Sequence, residues 1–331
     1  MRISFTGGAM KYMDNNTGYG TAAINILNSF KRLNVECGFH LENPDIEICF
    51  NDPWNHYWLD DNSYHIAYSA WESTSLDNKA IESLSKADEI WGTSPWVQSV
   101  FQNLFPDKPV FYYKHGIEER FKPKRRTKQH DIFTFLHIGE PYSRKDAQLA
   151  TECFIDLFGN DSKYRFVMKA SRMNNVKILD PYGYRASPTT YYKNIVEIND
   201  FLTNEQMLGL YNLCDVFLYP SWGEGFGLQP LEALATGTPV ICTEAWADYK
   251  KYITFPVYSM LSVNSWPEVH PGLMYKPDRE SLKKQMLNAV NNYEDVLKDT
   301  FKNSFKIHEE YDWLEVTKPA ISRLEEIYKK R

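Results

Sequence analysis

Residues 220–241 read PSWGEGFGLQPLEALATGTPVI and follow an apolar run, Val216 to Tyr219. That run has the length and character of a strand buried in a parallel sheet. Ser221 to Gly227 predict a glycine-rich turn, and Leu228 to Thr236 predict a short helix that Gly237 stops. Pro239 to Cys242 begin the next buried strand. The unit is strand, loop, helix and strand, with room for a ligand at the turn. Glycines let the backbone come close to a ligand, and N–H groups at a helix start suit an anion such as a diphosphate. Two carboxylates flank that position: Glu224 in the loop, and Glu232 about one turn into the helix. A carboxylate beside a diphosphate is repelled unless it serves another group. Hydroxyls of a sugar and of a ribose are the natural partners. A tight turn with no ligand would carry similar glycines, so the loop alone does not decide.

The chain has 331 residues, enough for two domains that each bury a core. Hydrophobic residues make up 43% and charged residues 24%, as in a soluble globular protein. No apolar run approaches the ~20 residues of a spanning helix. Met1 to Phe5 read as a strand running into a glycine loop, with no signal peptide visible. Cys37, Cys49, Cys153, Cys214 and Cys242 are scattered and odd in number, which fits a reduced, cytoplasmic setting. Charge is uneven. Residues 1–120 hold 9 Lys and Arg against 16 Asp and Glu, whereas the remainder holds 28 against 27. An acidic first half opposes a polyanionic partner.

Along the chain, Arg2 to Thr6 predict the first strand. Gly7-Gly8 and Thr17-Gly18-Tyr19-Gly20 predict a long glycine-bearing loop before a helix over about 21–33. Further strands are expected at 46–50, 64–70 and 110–113, with Ser94 and Pro95 as the cap and first residue of a helix. Trp54, His56, Tyr57, Trp58 and Tyr64 form an aromatic cluster that suits either a sugar ring or a packed corner. Residues 121–131, rich in Lys and Arg, read as an interdomain linker with solvated charges. The second domain opens with a strand at 133–137, and Thr203 to Gln206 carry capping-box spacing ahead of a helix to Leu213. Residues 174–192 read as an irregular excursion and 246–275 as a loop-heavy span. A helix is expected over about 280–296. A last helix over 314–330 has Leu314, Thr317, Ile321, Leu324 and Tyr328 near helical spacing. His-Glu-x-x-His, Cys-x-x-Cys and Asp-x-Asp are absent, so no catalytic metal is expected.

Glu224-Gly225-Phe226-Gly227-Leu228, the second Glu eight residues after the first, and the Ala-Thr-Gly-Thr-Pro-Val-Ile that follows resemble the retaining glycosyltransferases of the GT-B fold, family 4. The resemblance implies two doubly wound, Rossmann-like α/β domains facing a cleft. It divides the chain into an acceptor-side domain (1–120), a linker (121–131), a nucleotide-sugar-binding domain (132–305) and a C-terminal helix (306–331) crossing back to the first domain. Glu232 is then expected on the donor ribose and Glu224 on the sugar hydroxyls. Gly225, Phe226, Gly227 and Leu228 are expected to offer backbone N–H groups. Lys145, with Arg144 and Lys169, is expected to neutralise the diphosphate, since Glu140 stands where the family often has a cation. Gly18 and Gly20 match the glycine loop that faces the sugar. Glu72, in a Trp-Glu pair, is the candidate for orienting the acceptor hydroxyl or the sugar. His115 matches a positioned turn residue leading out of the first domain.

The implied activity is metal-independent, retaining transfer of a hexose from a nucleotide-diphosphate sugar, UDP- or GDP-linked, to a saccharide or small hydroxylated acceptor. No cofactor beyond this donor is expected. Two rivals stay open: a phage-type enzyme acting on hydroxymethylated bases in DNA, and a non-catalytic nucleotide-sugar-binding protein or epimerase of the same fold. The first domain's charge weighs against the DNA reading.

Overall fold

A computed structural model describes residues 1–11, 17–127, 131–140, 144–170, 176–179 and 185–331. Residues 128–130 of the expected linker, and residues 174–175 and 180–184 of the expected excursion, lie outside the described residues.

The first domain contains β1 (Arg2–Thr6), α1 (Gly8–Lys11), α2 (Gly18–Arg32), β2 (Glu36–Phe39) and β3 (Ile46–Phe50). It continues with β4 (Tyr64–Ser69), α3 (Asn78–Ser85), β5 (Glu89–Gly92), α4 (Pro95–Leu104) and β6 (Val110–Tyr112). Among the described residues its strands form one parallel sheet in the order β2-β1-β3-β4-β5-β6. β3 is buried along its whole length and β4 over its last four residues, which accounts for their near-continuous apolar sequence. β2 was not expected, because its four residues pair on one side only and lack an alternating pattern. Ser94 caps α4 through the Val97 amide, with Pro95 at its start, as expected.

The second domain contains β7 (Phe133–Ile138), α5 (Ala147–Phe158), β8 (Tyr164–Lys169), β9 (Ile178–Leu179), β10 (Arg185–Ala186) and α6 (Pro188–Tyr191). Then come β11 (Ile195–Ile198), α7 (Asn204–Leu213), β12 (Val216–Tyr219), α8 (Leu228–Ala235), β13 (Val240–Thr243) and β14 (Phe255–Val257). A parallel sheet runs β11-β8-β7-β12-β13-β14. Beyond it lie β15 (Ser259–Val263) and β16 (Leu273–Pro277), an antiparallel hairpin inside the span expected to be mostly loop. α9 (Arg279–Asn291) and α10 (Tyr293–Glu310) replace the single helix expected there, the break falling at Asn292.

α11 (Trp313–Lys330) packs on α2 of the first domain. Its buried face is Trp313, Val316, Thr317, Ala320, Leu324 and Ile327, whereas Tyr328 is exposed. Of the expected stripe, Thr317 and Leu324 lie on the buried face, Leu314 and Ile321 border it, and Tyr328 lies outside it. The Tyr113 hydroxyl meets Thr317 Oγ1 at 2.6 Å, and Arg323 pairs with the fully buried Glu89 at 2.7 Å. Before this helix, Ile117 N donates to Tyr311 O at 2.6 Å. The linker is not solvated throughout. Phe121 is buried, and the Arg126 guanidinium donates to the Cys214 and Tyr211 carbonyls and to Thr238.

Both sheets direct the carboxyl ends of their strands toward the same interdomain cleft. Residues following β1, β4, β7, β8 and β12 all lie there, the position where open α/β sheets bind ligands. Among the described residues no helix is long and apolar enough to cross a membrane.

Candidate active site

Between the domains lies a cavity of about 420 Å3. Gly18, Glu72, Arg144, Lys145, Lys169, Glu224, Gly225, Phe226, Gly227, Leu228 and Glu232 all line it. Gly20 does not. Thr17 caps α2 through Gly20 N at 3.0 Å, so Gly18 and Gly20 sit in the helix's first turn rather than in a loop before it.

The glycine loop leaves β12 at Tyr219 and ends at Gly227, whose φ of +81° is the left-handed conformation that favours glycine. No side chain caps α8, so its amides start at the cavity wall. Gly225 has a second reason to lack a side chain. A Cβ there would run into Ala70 of the opposite domain, and its carbonyl accepts from Thr93 Oγ1 at 2.8 Å. The glycines thus bring the two domains together as well as exposing backbone.

Glu224 is 6% exposed. Its Oε1 accepts from the Tyr219 hydroxyl at 2.8 Å and from Ser221 Oγ at 2.9 Å, and its Oε2 pairs with Arg144 at 3.0 Å. Burial pushes its carboxyl upward. Arg144, Lys145 and the two hydroxyls outweigh that and hold it below the ordinary carboxylate range. Glu232 differs. Its Oε2 accepts a single bond from the Tyr211 hydroxyl at 2.8 Å, and burial raises its pKa to about 7. The two glutamates therefore have opposite electrostatic settings, one in each of two environments eight residues apart.

The segment before α5 supplies cations. Lys145 Nζ donates to Gln229 Oε1 at 2.8 Å, and burial lowers its pKa. Lys169, at the end of β8, is 6% exposed, and burial lowers its pKa while Glu140 opposes the shift. Asp146 adopts a left-handed backbone, caps α5 through Leu149 N, and accepts from the Trp222 indole at 2.7 Å.

From the first domain, Tyr19, Ala70, Glu72 and His115 reach the cavity. Glu72 pairs with Arg144 at 2.9 Å, and His270 Nδ1 lies 3.7 Å from its other oxygen. His115 is buried beside Phe226, and burial lowers its pKa to about 3. Most of the aromatic cluster is packed, with Tyr64 on the β1–β3 core and Tyr57 exposed. Trp54, Trp58 and Trp71 join the α3–α4 core, Trp54 donates to Asp77 at 2.8 Å, and Trp71 donates to Ser75 O at 2.9 Å. None of these rings lines the cavity.

Sequence reasoning missed Tyr211, Tyr219 and Gln229, which orient Glu232, Glu224 and Lys145. It also missed Phe201, Asn204 and Met207, which line the cavity. Tyr219 ends a buried strand immediately before the loop, the one signal that could have singled it out.

Two doubly wound domains that close on a cleft lined by a glycine loop, paired glutamates and lysines define the GT-B class of architecture. Residues 127–255 match the family described as glycosyl transferases group 1. The serotype-specific mannosyltransferase WbdA of Escherichia coli is 51% identical over 66 residues, 20% of this chain and 7% of that protein. The O-antigen chain mannosyltransferase B of Escherichia coli is 30% identical over 117 residues, 33% of this chain and 28% of that one. The chain thus matches only a minor part of the length of these relatives. The solved sucrose-phosphate synthase of Thermosynechococcus elongatus superposes with a TM-score of 0.70 over 100% of both chains at 11% identity, a likeness of fold.

Proposed function

We propose that the chain is a retaining, metal-independent glycosyltransferase that moves a sugar from a nucleotide-diphosphate donor to a hydroxyl of a saccharide or other small acceptor. The observation that carries this reading is the meeting of Glu224, Glu232, Lys145, Lys169 and the uncapped start of α8 in one interdomain cavity. Glu232 would bind the ribose and Glu224 the sugar hydroxyls. The lysines and the amides of α8 would take the diphosphate, and Glu72 would orient the acceptor hydroxyl. In the step, the bond between sugar C1 and the phosphate oxygen breaks and its electron pair stays on the phosphate. The acceptor oxygen bonds C1 on the same face, and its proton passes to that phosphate oxygen. Negative charge grows where Lys145 stands, which is where a fixed cation lowers the barrier most.

The similarity to two mannosyltransferases makes mannose the first sugar to try, as GDP-mannose alongside UDP-, GDP- and ADP-linked hexoses. The test is transfer to saccharide acceptors with the product's anomeric configuration read by NMR. Retained configuration, with turnover unaffected by a chelator, is expected. Inverted product or a strict metal requirement defeats the mechanism, and absence of any transfer or donor hydrolysis defeats the assignment. The acidic first domain argues for a saccharide over DNA. A steep loss of DNA affinity as salt rises, with sugar on the bases, would reverse that choice.

A further inference from the structure

The family resemblance places Arg144 among the cations expected on the diphosphate, yet its guanidinium is committed elsewhere. Nε donates to the Gly223 carbonyl at 2.8 Å. One terminal nitrogen reaches Glu224 Oε2 at 3.0 Å and Glu72 Oε1 at 2.9 Å. The Arg144 carbonyl accepts from Trp222 N at 2.8 Å, and the Trp222 indole donates to Asp146, so this segment is fastened to the glycine loop at several points. For Arg144 to turn to a phosphate it would have to abandon two carboxylates, one of them 6% exposed. Leaving such a charge uncompensated is strongly unfavourable. Lys145, which donates to Gln229 Oε1, and Lys169 line the same cavity.

We propose that Arg144 is a positioning residue that locks Glu224 of the donor loop and Glu72 of the opposite domain into one cross-cleft arrangement, leaving the diphosphate to Lys145, Lys169 and the start of α8. The inference rests on the glycosyltransferase reading. One guanidinium then sets the spacing between the carboxylate for the sugar and the carboxylate for the acceptor. That spacing depends on the two domains being closed, because the carboxylates come from different domains. Arg144 also helps to keep Glu224 ionised, alongside Lys145, Tyr219 and Ser221, while Glu72 faces His270 on its other side.

Titration calorimetry with bare UDP, GDP and ADP, and steady-state kinetics with the donor that wild type uses, separate the roles. Arg144→Gln and Arg144→Lys are expected to keep the nucleotide Kd within about threefold of wild type. kcat is expected to fall tenfold or more in Arg144→Gln and less in Arg144→Lys, which restores the charge. The acid limb of kcat should move to higher pH in Arg144→Gln, because Glu224 loses a cation that favours its ionised form. Combined with Glu72→Gln, the loss should be smaller than the product of the two single losses. If Arg144→Gln does not fold, Arg144→Lys and Glu72→Gln carry the same comparison of kcat against Kd. A loss of nucleotide affinity matching that of Lys145→Ala, or an unchanged kcat and pH profile, overturns the proposal. Wild type that binds no nucleotide and turns over no donor overturns the underlying reading instead, a result seen before any variant is made.

Discussion

Glu224 and Glu232 lie eight residues apart in one motif but differ in setting. Glu224 is surrounded by two hydroxyls and a guanidinium, while Glu232 has one tyrosine hydroxyl and a pKa raised to about 7. If ribose hydroxyls donate to Glu232, the ionised form binds better, because a charged acceptor makes the stronger bond. Donor affinity should therefore tighten as pH rises from 6 to 8. A nucleotide sugar is the right probe, since its doubly esterified diphosphate does not titrate there. Glu232→Gln should flatten the dependence, and a wild-type Kd indifferent to pH would refute it. Glu232→Ala should weaken the bare nucleotide by roughly 10- to 100-fold, the worth of a bond to a charged group. Glu224→Ala should spare the bare nucleotide and depress turnover of the full donor. Equal effects on bare nucleotide would end this division of labour. Lys145→Ala should weaken nucleoside-diphosphate affinity at least tenfold in calorimetry, and an unchanged Kd would remove Lys145 from the diphosphate.

At the scale of elements, α7 shows how local chemistry supports the site. Thr203 Oγ1 accepts from Gln206 N, and Gln206 Oε1 accepts from Thr203 N at 2.8 Å, a complete capping box. The helix so fixed carries Tyr211, which orients Glu232. Thr203→Ala should lower unfolding free energy by about 1 kcal/mol in urea melts, since it removes the cap's side-chain acceptor. A midpoint shift of nothing, or of several times that, would show that α7 does not depend on its cap as described. α8 lacks any side-chain cap, and its first amides stand at the cavity.

Across the whole molecule, the chain returns to its first domain through α11. Arg323 makes a two-pronged contact with Glu89, at 3.0 and 2.7 Å, and Glu89 also accepts from the Trp91 indole at 2.8 Å. Glu89 is fully buried, so Arg323→Met strands a charge in the first domain's core. The expected cost is about 3 kcal/mol, from the penalty of breaking a buried pair. It should appear as a lowered midpoint in chemical unfolding at pH 7. A loss below about 0.5 kcal/mol would mean that the contact is no more than a surface pair.

Local pattern located many of the elements, and the arrangement of two doubly wound domains came from the family resemblance. The apolar runs of β1, β3, β7 and β12, the caps of α4 and α7, and the glycine loop with its two glutamates are short-range features, and each stands where its residues place it. Periodicity also required a helix at the C-terminus. Which of its faces would be buried depended on α2, so the expected stripe missed Trp313, Val316 and Ala320. Composition could not say whether Trp54, Trp58 and Trp71 would meet a ligand or a core, because burial is decided by α3 and α4 packing over them. The same holds for Arg144. The family resemblance implied a phosphate partner, whereas its partners in the structure, Glu72 and Glu224, come from loops of different domains that meet across the cleft. Side-chain pairing across a cleft is a long-range property, and only the tertiary structure decides it.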